Sequence, residues 1–97
     1  MAEYIMLLNF TEQGVRNFSD SPKRATDFAD MVRDMGGAVK EEYWTVGPYD
    51  AVVVVDAPND ETITAIALKV GGLGNVRTTT LRAFTPQQFA AIIDRAS

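Results

Sequence analysis

The chain has 97 residues, of which 46% are hydrophobic and 23% charged, a balance that fits one folded domain over residues 1–97 and excludes intrinsic disorder. Its net charge is −4 with the two signs interspersed, so neither nucleic acid nor an anionic membrane surface is an expected partner. Cysteine and histidine are both absent, which excludes disulfides, thiol nucleophiles, iron–sulfur clusters, Ser-His pairs and the usual zinc sites.

Tyr4–Phe10 is apolar at nearly every position, the pattern of a central strand buried on both faces. No basic leader precedes it and no apolar run approaches a membrane span, so a reducing cytoplasm is the expected location. Thr11–Asp20 is polar, contains Gly14 and Ser19, and is expected to be a loop. Ser21 as N-cap and Pro22 at the first helical position open a helix whose apolar stripe is Ala25, Phe28, Ala29, Val32 and Met35. Gly36-Gly37 stops it.

Val39–Val46 has the mixed character of an edge strand, Gly47-Pro48 marks a turn, and Tyr49–Ala57 is a valine-rich strand. So short a link predicts an antiparallel hairpin. Asn59 or Asp60 then caps a second helix with Ile63, Ile66, Ala67 and Val70 on its buried side, ended by Gly71-Gly72 and Gly74. Val76–Phe84 is a fourth strand. Thr85, Pro86 and Gln88 have the spacing of a capping box that starts a terminal helix presenting Phe89, Ile92 and Ile93.

The order β-α-β-β-α-β-α predicts a ferredoxin-like α+β domain, with both main helices on one face of a four-stranded antiparallel sheet. Its open face would measure about 400 Å² in projection, from strands roughly 4.8 Å apart and about 20 Å long. Both parities of the two central strands are apolar. One apolar set therefore faces away from the helices, which predicts a homodimer or higher oligomer packed sheet to sheet. The alternative is that the terminal helix folds back over that face.

The segments YIMLLNFTEQG, DSPKRA, YWTVGPYDAVVVVDAP and GNVRTTTLRAF resemble the GYD-domain family, with Gly47-Pro48-Tyr49-Asp50 carrying its glycine-tyrosine-aspartate signature. The resemblance covers essentially the whole chain and implies a dimeric α/β barrel of the ferredoxin-like type. The hairpin also resembles that of ligand-sensing domains of leucine-responsive-type regulators. Other members of the fold are cofactor-independent monooxygenases and lactone isomerases, an analogy of fold alone.

Few residues are candidates for chemistry. Asn9 interrupts a central strand and either bonds local backbone or orients a ligand carbonyl. Asp50, just after the turn, either accepts backbone N–H bonds or acts as a general base in an apolar pocket. Asp56 shares its parity and is expected near solvent. Tyr43, Trp44 and Tyr49 gather at the hairpin, where Trp44 and Tyr49 are candidate ligand contacts. Tyr43 and Trp44 must point to opposite faces. Arg77 and Arg82 have opposite parity; Arg82 is a candidate anion grip, or else the partner of a carboxylate. Gly71-Gly72-Leu73-Gly74 follows a helix and lacks the P-loop lysine, so it is not a phosphate loop.

No metal or cofactor is expected. Three functions fit: a homo-oligomeric small-molecule-binding or assembly domain, a cofactor-independent monooxygenase or isomerase using Asn9, Trp44, Asp50 and Arg82 on an aromatic or lactone substrate, and an oligomer without a ligand.

Overall fold

In the computed structural model, which describes Met1 to Ser97, β1 (Ala2–Phe10) is the strand around which the sheet is assembled. It is followed by α1 (Glu12–Arg16), a 3-10 turn (Phe18–Asp20), α2 (Ser21–Asp34), β2 (Ala38–Trp44) and β3 (Ala51–Ala57). The chain then runs through α3 (Asp60–Gly72), β4 (Val76–Ala83) and α4 (Pro86–Ala96). All pairings are antiparallel and the strand order is β2-β3-β1-β4, so the two strands with continuous apolar sequence lie in the middle. This is the ferredoxin-like α+β arrangement, extended by a C-terminal helix.

The twofold alternation of the strands divides the apolar residues. Tyr4, Met6 and Leu8 of β1 and Val53, Val55 and Ala57 of β3 are buried with Phe28 and Val32 of α2 and Ile63 and Ile66 of α3. Full burial of side chains of this size contributes roughly 1.5–3 kcal/mol each. Ile5 and Leu7, with Val54 and Val52 opposite them, carry the other parity and are only half-buried. Leu81 and Thr79 continue that face across β4, and Glu41 and Tyr43 across β2. The terminal helix does not fold back over it: every residue of α4 is exposed.

The polar segment after β1, expected as a loop, contains helix. The Thr11 side chain accepts from the Gly14 N–H at 3.1 Å and caps α1, while its hydroxyl donates to the Gly74 carbonyl at 2.5 Å. The Thr11 N–H donates to the Asn75 carbonyl at 3.0 Å. Gly14 is there because α1 lies against the Asn75 backbone so closely that a Cβ would overlap the carbonyl oxygen. That tertiary approach outweighs the turn-like composition.

Other boundaries move by a few residues. Ser21 lies inside α2, because the 3-10 turn leads directly into the helix and Asp20 occupies the cap position. α3 runs through Gly71 and Gly72 and is stopped by Gly74, whose φ is +88°. The Asn59 side chain accepts from the Thr62 N–H at 2.9 Å, and Thr85 and Gln88 form the expected capping box at α4. β3 begins at Ala51, two residues later than expected, because Tyr49 and Asp50 belong to the turn whose Gly47 adopts a φ of +130°.

Candidate functional site

Between the helix-side face of the sheet and the overlying α2 and α3 lies an open cleft of about 600 Å³. Its floor is Leu8, Phe10, Ala51 and Val53; α2 contributes Phe28 and Met31, with Met35 just beyond its end; Val70 and Leu73 close it from the α3 side. Trp44 stands at the β2 edge, 52% exposed, on the same parity as Glu42 two residues earlier. Thirteen of the twenty-one lining residues are hydrophobic. Size and lining match what a small organic molecule needs, an apolar enclosure with few polar groups.

The polar groups around the cleft are not equivalent. Asp27 pairs with Lys23 at 2.9 Å and Asp30 with Arg33 at 3.0 Å, both along α2. The Arg24 guanidinium donates to the carbonyls of Asn17 at 2.9 Å and Gly14 at 3.3 Å, tying α1 and the residue that caps it to α2. Asp34 and Glu42 have no ion-pair partner. Burial raises the Glu42 carboxyl above its ordinary range, because this side chain sits against apolar surface.

The structure distributes the residues singled out from the sequence over different places. Asn9 lies opposite Arg77, on the open face and away from the cleft. Asp50 ties the hairpin to β1: its carboxylate accepts from the Phe10 N–H at 2.8 Å and its own N–H donates to the Leu8 carbonyl at 2.8 Å. Tyr49 lies in the turn, its carbonyl accepting from the Thr45 hydroxyl at 2.6 Å. Arg82 lies opposite Tyr4, at the other end of β1 from Phe10. Its guanidinium is 4.4 Å from the Phe84 ring centroid and 5.6 Å from that of Tyr4, and it donates to the carbonyls of Glu3 and Ala83. Asp56 pairs with Lys40 at 3.8 Å, so neither it nor Asp50 is the partner of Arg82.

Of the set Asn9, Trp44, Asp50 and Arg82, only Trp44 lines the cleft. The physical reason is parity and length. Asn9 has odd parity on β1, whereas the helix-side residues are even, and Arg82 is displaced along the sheet by most of a strand. Of the cleft-lining residues, Met35 is read from the sequence only as part of the α2 stripe, and Met31 and Glu42 are not singled out. Glu42 was recoverable from its shared parity with Trp44. Met35 reads as an ordinary core position of a helical stripe.

A four-stranded antiparallel sheet, helix-covered on one face and open on the other, with an apolar cleft beneath the helices, defines a ferredoxin-like α+β architecture. The chain belongs to the GYD domain family, whose model matches residues 4–93. It is 33% identical over 84 residues to a Thermus thermophilus protein named "Glutamine synthetase and cystathionine beta-lyase binding protein", covering 86% of this chain and 88% of that one. Among solved structures it is similar to a protein of Thermus thermophilus, at a TM-score of 0.57 and 24% identity, over 88% of this chain and 95% of that one. It is also similar in fold to a feast or famine regulatory protein of M. tuberculosis complexed with L-methionine, at a TM-score of 0.67 and 14% identity. That match covers 88% of this chain, which spans about half (51%) of the regulator's length.

Proposed function

We propose that this chain is a homo-oligomeric binding module: copies cover one another's open sheet face, and the cleft on the opposite face holds a small, largely apolar molecule. The observation that carries the reading is that one sheet separates two apolar surfaces. Ile5, Leu7, Val52 and Val54 stand on the side that no helix covers, and the cleft of about 600 Å³ lies on the other. Covering the first by self-association leaves the second open to a ligand. The regulator similar in fold is described as complexed with L-methionine, which supports a ligand-holding role for this kind of domain.

Native mass spectrometry of the protein purified from its own host tests both halves. A homo-oligomer carrying a reproducible extra mass is the expected result. A bare monomer would overturn the reading.

A second use of the oligomer is favoured by α4. This helix is exposed throughout, and Phe89, Ile92 and Ile93 form an uncovered apolar side. The Thermus thermophilus relative is named for binding two enzymes, so a protein-docking role for α4 is consistent with that name. Sedimentation of the chain mixed with glutamine synthetase or cystathionine beta-lyase tests it. A faster complex that Ile92→Asp abolishes would support docking through α4, and two independent boundaries would contradict it.

A further inference from the structure

Resting on the cleft reading above, we infer that the ligand is an amphipathic organic amine: an apolar or aromatic body between α2 and the sheet, with its ammonium group beside Glu42 and Asp34. Charge and shape converge on this class. Four carboxylates border the cleft (Asp27, Asp30, Asp34 and Glu42) against two cations, Arg24 and Lys69. Two of the carboxylates are neutralised by Lys23 and Arg33. Arg24 donates to the backbone carbonyls of Asn17 and Gly14 and keeps its charge at the opposite end of α2 from Asp34. The charges left without an ion-pair partner are therefore Asp34 and Glu42 on the α2–β2 side, Arg24 towards the other end of α2, and Lys69 on the α3 side.

This uneven distribution orients a ligand. An ammonium group is attracted to the α2–β2 side and repelled from the Lys69 side, whereas a carboxylate would have to leave water close to Asp34 and Glu42. Trp44 stands beside Glu42 on the same strand face, where its ring adds a cation–π attraction for the same group. A bound ammonium also offsets the desolvation that raises the Glu42 carboxyl. Met31 and Met35 supply flexible, polarisable walls that adapt to the apolar body.

Trp44 is the single tryptophan, so its fluorescence reports the cleft directly. The test is a titration of the full chain with 3-phenylpropylamine, 4-phenylbutyrate and 3-phenylpropanol, which share a body and differ in the head group. The expected result is saturable quenching or enhancement by the amine, at an affinity about tenfold or more above the other two, equivalent to about 1.4 kcal/mol. Glu42→Gln should remove most of that preference while circular dichroism and the thermal midpoint stay unchanged, and Asp34→Asn should weaken it further. If the alcohol or carboxylate binds as tightly as the amine, the cleft binds small molecules but the amine assignment falls. If Glu42→Gln leaves the preference intact, the assignment also falls. If none of the three saturates, the cleft reading falls together with it.

Discussion

Tyr4→Phe removes one hydroxyl from the core, and its consequences depend on pH in a way that can be worked out. Tyr4 is 2% exposed, and its hydroxyl donates to Asp60 Oδ1 at 2.5 Å, joining β1 to the first turn of α3. Burial, and then the hydrogen bond to Asp60 and its negative charge, push the phenol from 10.0 up to about 12, with Arg82 acting in the opposite direction. The folded state thus holds this proton more tightly than the unfolded chain. The associated stability is fully present below the unfolded pKa near 10 and is lost as pH rises towards 12. At neutral pH the substitution should cost only about 1 kcal/mol, because exposed Asp60 regains water. For a chain of this length that lowers the thermal midpoint by roughly 4–8 °C. Urea unfolding followed by Trp44 fluorescence, from neutral pH to pH 12, measures both proteins. Wild type should lose more stability than Tyr4→Phe over the alkaline interval, so that the curves converge. Parallel curves, or a Tyr4 hydroxyl that ionises at the ordinary value of 10.0, would refute the reasoning.

Leu7→Glu places a charge in the middle of the open face while pointing away from the core, so it should yield monomers with an unchanged circular dichroism spectrum. Sedimentation velocity checks this, and an unaltered oligomer would exclude that face as the interface. Gly14→Ala drives a methyl group into the Asn75 carbonyl, two backbone segments with little freedom to part. A loss of about 1–3 kcal/mol is expected in urea unfolding, and an unchanged midpoint would contradict the close approach. Asp50→Ala leaves the half-buried Phe10 N–H without its acceptor and should cost roughly 1–3 kcal/mol. Unchanged stability together with lost ligand binding would instead return Asp50 to a direct role in a site.

The fold was legible where local signals and tertiary demand agree. The apolar continuity of β1 and β3 placed them centrally, and the β-α-β-β-α-β order placed both long helices on one face. Phe28, Val32, Ile63 and Ile66 were readable as core from helical spacing alone. The miss at α1 has a definite cause. Gly14 is a signature of close backbone approach to Asn75, far away in the chain, and composition read it as a turn.

The cleft was less legible, because a cavity is a relation between elements and not a property of one. Trp44 and Glu42 are recoverable from parity on β2, but the pocket arises only where α2 and α3 leave the sheet partly uncovered. Asn9 and Arg82 attracted notice as polar residues in or near apolar strands. Their roles depend on register: Asn9 meets Arg77 on the open side, and Arg82 stacks between Tyr4 and Phe84 at the far end. The Asp50 carboxylate accepts from the Phe10 N–H, a contact that depends on how the turn meets β1.

The open sheet face as the surface of self-association is tested most directly by isotope-filtered NMR on a mixture of labelled and unlabelled chains. Intermolecular contacts should arise from the methyl groups of Ile5, Leu7, Val52, Val54 and Leu81. Their absence, with intermolecular contacts from other surfaces or none at all, would contradict it.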